Sequence, residues 1–142
     1  MKKLLIALIC SITLSGCAAV NFLQQYTTLP MSDVVGETPT EYGKIYQANT
    51  VWYQNGLYTA SGQLFSRDML TAAHRTLPFG TILRLTNPDN NKSVNVIVND
   101  RGPFSKNLHL DVTRRVAEVL DFKSKGRAVL HIELLMLPTK EK

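Results

Sequence analysis

The chain has 142 residues, 44% of them hydrophobic, and sixteen lysines and arginines against eleven acids give a net charge of +5. That length is enough for one domain with its own core. The mild basic excess reads as a solvated surface that also suits an anionic polymer, and no basic run with interleaved aromatics argues for nucleic acid.

The first element in chain order is "MKKLLIALICSITLSGCAAV". Two lysines precede an apolar run from Leu4 to Leu14, and small residues follow. This is the pattern of a secretory signal over residues 1–16, too short for a transmembrane helix. Its end, Leu14-Ser15-Gly16-Cys17, resembles the bacterial lipobox, in which the cysteine is acylated and becomes the mature N-terminus. An ordinary cleaved signal with an incidental cysteine is the plainer alternative. Ala18 follows, with no aspartate beside the cysteine, which in enteric bacteria resembles an outer-membrane address. The expected location is the periplasmic face of the outer membrane, with lipid on Cys17, and this too argues against nucleic acid as a partner. Loss of Lys2 and Lys3 with the signal lowers the net charge to +3. Cys10 and Cys17 are the only cysteines. The mature domain therefore has neither disulfides nor a thiolate metal site and must fold on its apolar core.

Residues 17–43 have no sustained period and carry Pro30, Gly36, Pro39 and Gly43, as expected of a tether. The domain is expected over residues 44–138, with a tail at 139–142. "KIYQANTVWYQ" (44–54) is rich in β-branched and aromatic residues and predicts a strand. "GTILRLTN" (80–87) and "KSVNVIVND" (92–100) flank the turn-formers "PDNN" and predict a hairpin, with Val94, Val96 and Val98 on one face. Thr113 can N-cap a helix over "RRVAEVLDF", where Val116, Val119 and Leu120 fall at helical spacing. "AVLHIELLML" (128–137) predicts a last strand, buried on both sides for part of its length. Many short strands with one or two short helices predict a mainly β, small closed barrel.

Four stretches carry chemistry: "YTASGQLF" (58–65), "LTAAHRTLPFGTILRLTN" (70–87), "VNDRGPF" (98–104) and "LDVTRRVAEVL" (110–120). In "VNDRGPF" a carboxylate, Asp100, ends a strand, and Gly102-Pro103 stops the backbone behind it. An Asp capping its own turn accounts for that pattern, and so does a carboxylate held open to a groove at a barrel rim. Arg101 would lower the pKa of Asp100 if they touched, but alternation should point it away. His109 and His131 have no ligand spacing, so no metal and no cofactor is expected. Trp52, Tyr53 and Tyr58 can stack on sugar rings, though aromatics in early strands are more often core.

The order and wording of these stretches, from about Trp52 to Leu135, resemble the rare lipoprotein A family, of septal-ring lytic transglycosylase type. The resemblance implies a six-stranded double-psi β-barrel, shared with expansins and barwin-like proteins. It also implies cleavage of peptidoglycan glycan strands between N-acetylmuramic acid and N-acetylglucosamine, leaving a 1,6-anhydro end, in some members with preference for strands stripped of stem peptides. Asp100 is then the catalytic candidate, since a substrate that supplies its own nucleophile can manage with one carboxyl group acting first as acid and then as base. Gln63 departs from the family, which commonly has a glutamate thought to be catalytic at that position; an amide cannot exchange a proton. An expansin-like binder of glycan strands is therefore the alternative to an enzyme, and a structural outer-membrane lipoprotein is the third possibility. Gln63, His74 and Asn99 are expected to contact substrate. His74 can instead orient Asp100 or be structural, and Asp111, which matches a family aspartate, can instead stabilise the helix start. Family members often carry a separate peptidoglycan-binding SPOR domain. The sequence given stops at Lys142, so glycan affinity is expected from the barrel groove, in a monomer.

Overall fold

The computed structural model describes residues 38–139. The expected signal and Cys17, the tether up to residue 37 and residues 140–142 of the tail lie outside the described residues. Within them the strands are β1 (Ile45–Tyr53), β2 (Thr71–Ala73), β3 (Ile82–Asn87), β4 (Lys92–Asp100), β5 (Leu110–Thr113) and β6 (Arg127–Met136), with one helix, α1 (Arg114–Val119), and a 3-10 turn at Lys123–Lys125. They close into a barrel in the order β1-β5-β2-β4-β3-β6. β1 runs parallel to β5 and β2 parallel to β4, and the other pairs are antiparallel. The predicted closed, mainly β barrel is what the chain forms.

Period-two burial drives the closure. Tyr46, Ala48 and Thr50 of β1, Leu83 and Leu85 of β3, Val96 and Val98 of β4, and Leu130, Ile132 and Leu134 of β6 all point inward and are buried. Each large side chain of this kind contributes roughly 1.5–3 kcal/mol on leaving water. β6 is buried along one face only, with the intervening residues half exposed or open. The expected two-sided burial does not hold, because among the described residues no second layer of structure packs on the outside of this strand. Helix α1 seals one end of the barrel with Val116 and Ala117, backed by Leu120 and Phe122. Thr113 occupies the N-cap position but makes no side-chain cap; its hydroxyl donates instead to the carbonyl of Met69. Residues before β1 also engage the barrel: Tyr42 bridges to Leu134, and the Tyr46 hydroxyl accepts the amides of Thr40 and Glu41.

One irregularity positions everything that follows. β2 pairs with β4 as Thr71 with Ile97 and Ala72 with Val98, and then Ala73 skips to Asp100. Asn99 is the extra residue of a β-bulge. Strict alternation after Val94, Val96 and Val98 would aim Asp100 into the core. The bulge resets the alternation and puts Asp100 on the outer face beside Ala73.

Candidate active site

Ala73 also pairs with Asp111 of β5, and Val51 of β1 pairs with Asp111 on one side and Arg127 of β6 on the other. Residues directly opposite in a sheet share a face. Asp100, Ala73, Asp111, Val51 and Arg127 therefore form one row across the outside of the barrel, and the small side chain of Ala73 leaves space between the two carboxyl groups.

Asp100 is held by three donors. Its Oδ1 accepts the backbone amides of Ala60 and Arg101, each at 2.8 Å, and its Oδ2 accepts the Tyr53 hydroxyl at 3.3 Å. Burial first, then the negative charge of Asp100 and the hydrogen bond to it, push the Tyr53 phenol above its ordinary value, so it stays a donor. Tyr53 in turn packs on Phe65, with ring centroids 5.0 Å apart. The Arg101 guanidinium does turn away, as alternation predicts. It donates to the carbonyls of His74 and Leu77 and lies 3.7 Å from the centre of the Phe79 ring.

Asp111 is the opposite case. It lies within β5 rather than at the helix start, its Oδ1 is buried, and that atom has no hydrogen-bond partner among the described residues. Burial, and then repulsion from Asp100, push its carboxyl from the ordinary 3.8 up to about 6. Two carboxyl groups on one face thus differ in environment: one is surrounded by donors and one is poorly solvated and proton-retaining, the asymmetry that acid–base chemistry uses. Gly102 borders this pair. A Cβ there would lie 3.5 Å from Asp111 Oδ2, and its φ of +137° is one that side chains disfavour.

The loop between β1 and β2 folds against the pair, as its contact through Ala60 shows. Gln63 is exposed, and its side-chain oxygen accepts Asn99 Nδ2 at 2.9 Å. Asn99 is buried, and its Oδ1 lacks a partner among the described residues. These two residues hold the loop to the bulge. His74 is buried beneath the site. Its Nδ1 accepts the amides of Thr76 and Leu77, so the ring organises the 74–77 turn, while its backbone amide donates to the Asp100 carbonyl at 3.2 Å. Burial, and then the positive charges of Arg101 and Arg75, pull the imidazole down to about 4. Of the expected site residues, then, Gln63 is exposed and Asp100 half-buried at the rim, Asn99 is buried and bonded to Gln63, and His74 is buried beneath them.

Sequence reasoning missed Arg75. Its guanidinium donates to the carbonyls of Pro103, Ser105 and Leu108, clamping the segment between β4 and β5. That clamp presents Phe104, whose side chain is 84% exposed, within 3.9 Å of the Gly102 Cβ position. Trp52 is half-buried against the core, and its indole N–H donates to the Lys123 carbonyl.

The family described as "Lytic transglycolase" matches residues 45–132, which take in every strand but the end of β6. The chain belongs to this family. Its barrel is accordingly of the double-psi type that the resemblance implied. It is similar to the endolytic peptidoglycan transglycosylase RlpA of Rickettsia prowazekii, 38% identical over 170 residues covering 98% of this chain and 53% of that protein. It is also similar to the protein of the same name from Rickettsia typhi, 42% identical over 123 residues covering 75% of this chain and 38% of that one. The chain thus spans about half the length of these relatives or less. Among solved structures, the fold resembles the Streptomyces papain inhibitor (TM-score 0.57, 16% identity, 67% of this chain and 97% of that chain). It also resembles a Clavibacter michiganensis expansin mutant in complex with cellohexaose (TM-score 0.54, 16% identity, 70% of this chain and 54% of that chain). At such identities these likenesses speak for the fold alone.

Proposed function

We propose that this chain is an endolytic lytic transglycosylase of peptidoglycan, cutting between N-acetylmuramic acid and N-acetylglucosamine. The observation that carries the reading is the placement of Asp100 and Asp111 on either side of Ala73, Asp100 held by three donors and Asp111 with a buried oxygen that has no partner among the described residues. Asp111 gives its proton to the glycosidic oxygen as the bond to the muramic anomeric carbon breaks. Asp100 carries the negative charge that stabilises the oxocarbenium-like centre and then takes the proton of the muramic C6 hydroxyl, whose oxygen closes on that carbon. No water is consumed, and the pair exchanges its proton with solvent before the next turnover. Tyr53 and the Ala60 amide keep Asp100 oriented. Phe104 offers a bare ring on a clamped backbone, a surface on which a pyranose can stack. Gln63 contributes an amide where a second titratable group would sit, so the reaction rests on the two aspartates.

The relatives' names and the expansin bound to a β-glucan oligomer support a glycan as substrate. We further propose attachment through lipid on Cys17 at the periplasmic face of the outer membrane, and a monomeric protein. The deciding experiment incubates the full-length chain with purified glycan strands and searches for anhydro-ended products by mass spectrometry, with Asp100→Asn as the blank. Anhydro products from wild type alone support the enzyme. Binding without products overturns it in favour of the expansin-like binder.

A further inference from the structure

A cavity of about 290 Å³ lies beside the carboxyl pair rather than over it, lined among others by Asn49, Asn107, Leu108, Arg127 and Val129. Its walls are fixed. The Asn49 amide donates to His109 Nδ1 at 3.0 Å, the His109 amide returns a bond to the Asn49 carbonyl, and Asn49 Nδ2 donates to the Asn107 carbonyl. The Arg75 clamp holds Leu108 from the other side. The segment from Phe104 to Leu108 therefore runs as one wall from the carboxyl pair to the cavity.

Arg127 stands at the far end of the row described above, on the same face as Asp111 and two strands away, roughly 10 Å between backbones. It is exposed and forms no ion pair or hydrogen bond among the described residues, unlike Lys123, which is paired with Glu118, and Lys125, which is paired with Asp89. A guanidinium left open beside two side-chain amides is suited to a carboxylate flanked by N-acetyl groups.

We propose that this cavity is a further glycan subsite in which Arg127 pairs with a carboxylate carried on alternate sugars of the strand. The inference rests on the transglycosylase reading. The spacing supplies its logic: 10 Å is about the span of a disaccharide, which is the repeat of the polymer. A strand with one muramic acid at the carboxyl pair brings the next to Arg127. The carboxylate is that of the lactyl group when the strand is bare, or belongs to the stem peptide when one is attached.

Three alternating tetrasaccharides separate these cases: one with free lactyl carboxylates, one with those groups converted to methyl amides, and one bearing stem peptides. Affinities are measured by calorimetry on the full-length chain in an Asp100→Asn background, with and without Arg127→Gln, and circular dichroism confirms the fold. Arg127→Gln is expected to weaken at least one carboxylate-bearing probe by ~10-fold and to leave the methyl-amide probe unchanged. Which probe responds identifies the source of the carboxylate. Arg127→Lys should recover part of the loss. Equal loss on charged and neutral probes, or loss on neither, overturns the subsite, and continued release of anhydro products by the Arg127→Gln single variant then shows that the transglycosylase reading survives without it. A wild type that binds no probe and releases no product overturns both.

Discussion

Replacing Asp111 with asparagine removes an ionisation that the fold resists. In the unfolded chain this carboxyl gives up its proton near its ordinary value of 3.8, whereas in the barrel it keeps the proton until about pH 6. Proton retention therefore favours the folded state fully below pH 3.8, and that advantage is lost as pH rises from 3.8 through 6. The two values differ by enough for roughly 3 kcal/mol at 1.36 kcal/mol per pH unit, and because the group is only partly buried, solvent screening reduces this to about 1–1.5 kcal/mol. Asparagine has nearly the same shape and does not titrate. Asp111→Asn should therefore melt at least ~4 °C above wild type at pH 7.5 and within ~1 °C of it near pH 4. Differential scanning calorimetry of both proteins at the two pH values measures this. Cleavage of glycan strands by the same variant should fall ~10²–10⁴-fold, as for a lost general acid. A Tm shift of equal size at both pH values would mean that packing rather than ionisation is responsible, and a lower Tm at pH 7.5 would refute the reasoning outright.

Gln63→Glu keeps an acceptor for Asn99 Nδ2, so the loop should stay closed, and the added carboxyl should raise release of anhydro products at least ~10-fold over wild type; parity between the two proteins would show that Asp100 and Asp111 suffice. Gly102→Ala places a side chain at φ +137° and should cost ~1–3 kcal/mol, seen as a Tm lower by several degrees together with reduced cleavage, and an unchanged Tm would remove the argument for this glycine. Cys17→Ser should move the protein from the membrane fraction to the soluble fraction on fractionation; a wild type already soluble after osmotic release contradicts the lipid anchor.

The strands legible in the sequence are those long enough to show a period. β1, β3, β4 and β6 have six to ten residues each and alternate visibly. β2 and β5 have three and four, too few for any pattern, and they are strands because their neighbours pair with them. This is why Asp111 reads in sequence as a residue leading into a helix and is in fact flanked by strands. Asp100 was legible through the Gly-Pro stop behind it. Its orientation was not, because a bulge is a property of two strands and Ala73 lies far from Asn99 in the chain. The burial of His74 was equally hidden, since the amides that occupy its Nδ1 come from a turn whose residues, Thr76 and Leu77, carry no signal of their own.

The bulge at Asn99 also divides β4 into two stretches of opposite phase. Upstream of it, even-numbered positions belong to the interior; at Asp100, an even number faces out. The interior can thus drift in composition through Val94, Val96 and Val98 without turning the carboxylate, because orientation is set afresh after each pass through the bulge. Excising that single residue would merge the two phases. Asp100 would then follow Val98 directly and still face outward opposite Ala73; what the deletion removes is Asn99 itself, the buried amide that ties the loop to the strand through Gln63. The bulge thus serves the loop as much as the carboxylate: it fits an extra buried amide into the strand while leaving Asp100 on the outer face.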